Sequence, residues 1–207
     1  MKHEWKKQEK EIYGVKTKPC IIDVPAQNYI ILSGNGNPND EIFSVKVAAL
    51  FSAAYKIKMM YKTHAEKSIE ITDYAVYPLE GIWSTASEKE NLVKEELQYR
   101  IMIRQPDFIT RKMFNNALEA VKSKKDNPFL TDISFEILYD GRCIQVLHKG
   151  AFDDEPASFE IMDKYCMEHG YKRMGKEHRE IYLNDASRTE TANLKTILRY
   201  KVTDMEK

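Results

Sequence analysis

Between Leu97 and Arg104, apolar Leu97, Tyr99, Ile101 and Ile103 alternate with Gln98, Arg100, Met102 and Arg104. That period of two predicts a half-buried strand, and Pro106 ends it. The same alternation predicts a strand over Lys176–Leu183, with Glu180 and Tyr182 on one face and Ile181 and Leu183 on the other. If the apolar face packs on a helix, the acid and the phenol point away from that helix. A period near four replaces the period of two after Asn37-Pro38-Asn39-Asp40. Phe43, Val47, Leu50, Phe51, Ala54, Ile57 and Tyr61 form one buried stripe, which predicts a helix to about Tyr61 with Asn37 as its cap and Pro38 at its first position. Met113, Phe114, Ala117, Leu118 and Val121 predict a second helix capped by Thr110, and Phe159, Met162, Tyr165 and Cys166 a third, closed by Gly170.

Short apolar runs bounded by Pro, Gly and Asn predict the remaining strands. These are Cys20–Val24, Gln27–Ser33 before Gly34-Asn35-Gly36, Ile71–Thr85 with a break at Pro78, and Leu194–Val202. Ile133–Tyr139, Asp140-Gly141 and Arg142–His148 read as a β-hairpin, because Asp-Gly suits a tight type I′ turn. Ser87–Glu95 is polar and reads as a loop.

The elements repeat. Tyr29–Gly34, a helix with Pro38 near its start, a strand through Tyr77 and a strand from Leu97 match Ile144–Gly150, a helix with Pro156 near its start, a strand through Tyr182 and a strand from Lys195. The expected fold is therefore α+β: duplicated strand–helix–strand–strand units with antiparallel sheets, and a ligand cleft between the two halves. Residues 1–18 are read as an N-terminal arm and 19–207 as one domain, with halves near 19–125 and 126–207. Each unit would carry its helix on one sheet face and leave the other bare, and two bare faces set against each other would enclose the cleft. The repeat sets Tyr77 opposite Tyr182 and Ala75 opposite Glu180, so only one half supplies an acid.

Composition narrows the function. Lys+Arg and Asp+Glu are both 32, a balance that argues against a direct nucleic-acid partner bound by phosphate neutralisation. The Lys122–Lys125 run reads as a solvated helix end. No run approaches the roughly 18 apolar residues of a membrane helix, and the charged N-terminus has no secretory core. Three cysteines without a C-x-x-C pair exclude a disulfide framework and a structural zinc site, so a cytoplasmic setting is expected. His148 and His178 have no third ligand at a recognisable spacing and read as hydrogen-bonded structural histidines; no metal and no cofactor is expected.

Glu180 is the main chemical candidate. As a surface acid it would pair with Arg179 or Lys176; buried at a cleft floor it would bind a cation or deprotonate a water. Tyr182 shares its face, either as a packed aromatic or as a hydrogen-bond donor to Glu180 or a ligand. Tyr77 and Trp83 share a strand face if Pro78 introduces no bulge, and Phe152 follows the first strand of the second half. Flat rings of this kind suit flat polycyclic or cationic ligands.

His148-x-Gly150-x-Phe152-Asp153-x-Glu155-Pro156, His178-x-Glu180-Ile181-Tyr182-Leu183-x-Asp185 and Thr196-Ile197-Leu198-Arg199 resemble the GyrI-like small-molecule-binding family. Pro78–Trp83 and Ile103–Phe108 resemble the first half of its stand-alone members, so the resemblance covers nearly everything from Ile21 onward. It implies a duplicated fold whose central cleft takes bulky, aromatic or cationic compounds. One stand-alone subfamily hydrolyses the cyclopropane ring of DNA-alkylating natural products within an aromatic cage. The resemblance thus implies a xenobiotic-detoxifying hydrolase, with Glu180 acting on water, Tyr182 donating to the substrate, and Tyr77, Trp83 and Phe152 holding its flat body. A non-catalytic binder and a gyrase-inhibiting interaction protein are the alternatives. A tyrosine often stands where this chain has Phe152, so no hydroxyl acts there.

Overall fold

The structure is a computed structural model that describes residues 1–63, 70–85 and 93–205. The arm forms β1 (Lys2–His3), α1 (Trp5–Gln8) and α2 (Lys10–Tyr13). The first half follows with β2 (Cys20–Val24), β3 (Gln27–Asn35), α3 (Glu41–Thr63), β4 (Asp73–Tyr74), β5 (Leu79–Thr85), β6 (Leu97–Gln105) and α4 (Arg111–Lys122). The second has β7 (Ser134–Leu138), β8 (Gly141–Lys149), α5 (Glu155–Glu168), β9 (Tyr171–Arg173), β10 (His178–Tyr182) and β11 (Lys195–Asp204). Most of Ser87–Glu95 lies outside the described residues. Thr110 caps α4 as expected, its hydroxyl accepting from the Met113 amide. Asn37 instead accepts from the Asn39 amide, closing a turn ahead of α3, which begins at Glu41.

The duplication is visible in the sheet. Its order is β2-β8-β11-β10-β5-β6-β3-β7, so each half contributes three strands in mirrored order, β3-β6-β5 and β8-β11-β10. The halves join along an antiparallel β5–β10 seam, where Glu180 lies opposite Gly81 and His178 opposite Trp83. The two units therefore stand edge to edge in one sheet rather than face to face. Pairing the seam strands satisfies backbone groups that two separate sheets would leave open.

Strand β7 pairs with β3, and β8 with β2 and β11, so Asp140-Gly141 does not close a hairpin. Instead Tyr139-Asp140 between β7 and β8, and Pro25-Ala26 between β2 and β3, join strands from opposite ends of the sheet order. Links this short force the sheet to curl. Tyr29 on β3 receives a 2.7 Å hydrogen bond from Arg179 on β10, across three strand spacings of about 4.8 Å each on a flat sheet. The bare faces do look at each other, then, but across the concave inside of one curled sheet.

That interior is filled. Arg179 pairs with Glu80 at 2.9 Å and with Asp140 at 2.9 Å, all three buried or nearly so. Arg199 donates to Gln145 and to the carbonyl of Ile12. The arm plugs the rest. Tyr13 reaches Glu80 at 3.5 Å, the Trp5 indole donates to the Val76 carbonyl at 3.0 Å, and Arg104 pairs with Glu9. Ile181, on the apolar face of β10, is fully buried on this side of the sheet. A concavity of about 160 Å³ remains at the mouth, lined by Ile82, Asp140, Cys143, Arg179 and Arg199 among others. No helix among the described residues is long and apolar enough to cross a membrane.

The long helices lie on the opposite, convex face. Helix α3 packs over β3 and β6 with α4 beside it, and α5 packs over β8 and β9. The β5–β10 seam lies between the strands covered by α3 and those covered by α5.

Candidate functional site

Antiparallel partners point to the same side of a sheet, so His178, Glu180, Tyr182, Gly81 and Trp83 share the convex face. Glu180 has 12% of its side chain exposed. His178 Nε2 donates to its Oε1 at 2.9 Å, and the Tyr182 hydroxyl to its Oε2 at 2.7 Å. The three side chains are zipped along one strand at i, i+2 and i+4. Trp83 Nε1 donates to the Tyr182 oxygen at 3.0 Å, which completes a chain from indole to phenol to carboxylate.

Each member is held by its surroundings. The Trp83 ring packs against Tyr99 and Phe43, with centroids 5.4 and 5.9 Å away. Phe159 of α5 meets His178 edge-on at 4.8 Å. Phe152 stands perpendicular to Tyr182 at 5.8 Å and is 41% exposed, so it forms the open lip of the site. The indole also lies over Gly81, where an added Cβ would come 2.5 Å from Nε1. Gly81→Ala is expected to push the indole off Tyr182, with a destabilisation of about 1–3 kcal/mol and a shift in tryptophan emission. An unchanged melt and spectrum would show that the indole does not depend on this gap.

Glu155, the first residue of α5, completes the group. A short turn, Phe152–Asp154, carries it from β8, with Gly150 at φ 120° marking the exit from the strand. His148 fixes that turn: Nε2 donates to the Ala151 carbonyl at 2.8 Å, and Nδ1 accepts from the Ser158 hydroxyl at 2.9 Å. Both ring nitrogens are used, so His148 is the structural histidine expected of it. Glu155 is 6% exposed. Burial first, then the negative charge of Glu180, holds its carboxyl well above the usual carboxylate range. Burial, and then Glu180, pushes the Tyr182 hydroxyl upward as well, so its proton stays on the phenol and is directed to Glu180.

The structure brings Glu180, Tyr182, Trp83 and Phe152 together. Tyr77 is elsewhere. Pro78 breaks the strand parity before β5, and Tyr77 is buried under the arm, stacked on Trp5 and bonded to Glu9 and His3. Two residues of the group receive no chemical role from the sequence. His178 reads only as a structural histidine, although strand parity puts it with Glu180, and Glu155, which arrives from another element, enters only as part of the motif that carries the family resemblance. Glu155, His178 and Glu180 offer three ligand atoms within 4.8 Å of one another, a grouping that could hold a metal ion and that spacing along the chain does not reveal.

A duplicated sheet thus carries at its seam a cluster of two carboxylates, a phenol, an imidazole and aromatic rings. The profile of the GyrI-like small molecule binding domain matches residues 17–201, and the chain belongs to this family. Two Listeria innocua structures are similar along nearly the whole chain. One, an uncharacterised conserved protein, is 31% identical with a TM-score of 0.88, covering 97% of this chain and 100% of its own. The other, described as a hydrolase, is 30% identical with a TM-score of 0.88, covering 98% and 100%. The C-terminal domain of EcmrR shares the fold at 10% identity and a TM-score of 0.56, covering 91% and 98%. No curated protein matches the chain.

Proposed function

We propose that the convex face of the β5–β10 seam receives a bulky, flat, hydrophobic compound, and that Glu180 activates a water against it. The observation that carries this reading is the nearly buried Glu180 carboxylate, fixed by His178 and Tyr182 beside the Trp83 and Phe152 rings. The similarity to a described hydrolase at 30% identity supports it.

For a cyclopropane fused to a conjugated dienone, water attacks the strained ring carbon. The new C–O bond forms as the ring C–C bond breaks, and that electron pair moves to the dienone oxygen. Glu180 takes the water proton, and the phenolate product takes one from solvent. Trp83 and Phe152 hold the flat body and face the electron-poor carbon. Tyr182 acts through Glu180, because its proton is committed there. The protein would thereby detoxify ring-strained alkylating compounds.

A second reading is binding without chemistry. Both Glu180 oxygens already accept hydrogen bonds, an arrangement that suits a fixed anion facing a cationic ligand. Mass spectrometry of a cyclopropane-bearing dienone before and after exposure to the protein separates the two. Product heavier by one water supports hydrolysis. Bound but unmodified compound supports the binder. Compound neither bound nor changed overturns both.

A further inference from the structure

We propose that the concave mouth of the sheet binds a small organic monocarboxylate, with the carboxylate on Arg199 and Lys201 and the apolar body against Leu138, Tyr139 and Met174. The site is independent of the hydrolytic reading of the seam. It lies on the other face of β10, the one that carries Arg179 instead of Glu180.

Strand register places the cations. Arg199 on β11, Arg179 on β10, Ile82 on β5 and Arg100 on β6 stand directly opposite one another, so three guanidinium groups share one row of the concave face. Like charges side by side repel unless anions meet them. Two of the three are met. Arg179 pairs with Glu80 and Asp140, each at 2.9 Å, and Arg100 pairs with Glu136. Arg199 pairs with no carboxylate among the described residues. It is 1% exposed, and it donates only to neutral acceptors: Nε and Nη2 to the Gln145 amide oxygen, and Nη2 to the Ile12 carbonyl. Its Nη1 takes no bond among these residues, yet it is not sealed from solvent as the unpartnered Nε of Arg104 is. A buried guanidinium that meets only neutral acceptors keeps its charge uncompensated, and a carboxylate is the acceptor its planar fork fits best.

The concavity supplies the space. All three arginines line its volume of about 160 Å³, and so does Lys201, two residues along β11 from Arg199 and on the same face. Drug-sized sites run to roughly 300–1,000 Å³, so the occupant here is small. Leu138, Tyr139 and Met174 form the apolar wall, and the last two are 70% and 52% exposed. The charges at the mouth set the ligand's charge. Asp140 is held by Arg179 and stands 3.7 Å from Lys201, while Glu177 is exposed at the rim. Cys143 adds no anion, since burial first, then Asp140, pushes its thiol up to about 11. With Glu80 and Glu136 alongside, acids nearly match bases. The mouth therefore offers an unfilled donor rather than a strong positive field, which suits one negative charge over a polyphosphate.

The test is isothermal titration calorimetry of the full-length protein with benzoate as the probe. Benzoate should bind once per chain and about tenfold more tightly than benzamide, which has the same ring and no charge. Arg199→Gln should weaken benzoate about tenfold, and Arg199→Lys should restore part of that loss. Arg199 also holds Gln145 and the arm, so a cooperative thermal melt accompanies both variants. If Arg199→Gln does not fold, Lys201→Met decides: this side chain is 47% exposed, its loss leaves the fold standing, and benzoate should bind about fivefold more weakly. Phe152→Ala, on the convex face, should leave benzoate affinity unchanged. No benzoate binding, benzamide binding as tightly, or affinity unmoved in Lys201→Met overturns the proposal. So does a loss in Phe152→Ala, which would move the probe to the seam. Tighter binding of inorganic pyrophosphate overturns the single charge, and tighter binding of a tripeptide ending in phenylalanine overturns the small acid in favour of a chain terminus.

Discussion

Glu180→Gln is expected to lower turnover of a cyclopropane-bearing dienone by about a hundredfold or more, the usual loss when a positioned base is removed. Affinity for the same neutral compound should hold, since the amide is nearly isosteric and the Trp83 and Phe152 walls are untouched. The split is diagnostic: a fall in kcat with KM preserved marks a group that acts in the transition state. His178 and Tyr182 currently direct two donors at the carboxylate, and the amide nitrogen cannot accept from one of them. Some loss of stability is therefore expected alongside, and substrate saturation must be shown for the variant. Turnover equal to that of the wild type would exclude Glu180 as the base. A loss confined to binding of cations would favour the sequestering role.

The second large effect lies on the other face of the same strand. Arg179→Ala removes the only basic partner that Glu80 has among the described residues, and Glu80 is 0% exposed. Asp140 loses its closest cation at the same time and keeps Lys201 at 3.7 Å. Breaking a buried ion pair from one side costs about 3–5 kcal/mol, because the remaining charge stays out of water. For a chain of this length the melting temperature should fall by on the order of 10 °C. Thermal unfolding followed by circular dichroism measures it. Replacing both partners, as in Arg179→Met with Glu80→Leu, should recover much of the loss, since the desolvated charges leave together. If the single variant melts with the wild type, the interior network is not what holds the curled sheet.

These two predictions share one strand because β10 separates its functions by parity. His178, Glu180 and Tyr182 face the convex side that carries α3 and α5, and Arg179 and Ile181 face the plugged interior. That separation is legible in the sequence, since a strand has one periodicity and Glu180-Ile181-Tyr182 follows it. The duplication is legible for the same reason. The order of elements and their prolines repeat, and antiparallel strands flanking a helix admit few arrangements. The limits of local reading show at Asp140-Gly141. The dipeptide has the chemistry of a hairpin turn, yet the flanking strands pair elsewhere and Asp140 holds Arg179 instead. Tyr77 shows the same limit, since strand parity cannot be carried across a proline.

The amino-acid pattern by itself determined which segments are strands and helices, that the chain is built twice over, and that Glu180 and Tyr182 share one strand face. All of these depend on the period of side chains along a few residues. Only the tertiary structure decided that the halves join edge to edge, that the sheet curls until its bare faces fill with ion pairs and the arm, and that Glu155 meets Glu180. Those outcomes depend on contacts between residues far apart in the chain, where the balance of burial, charge and strand pairing is set by neighbours that no local window contains.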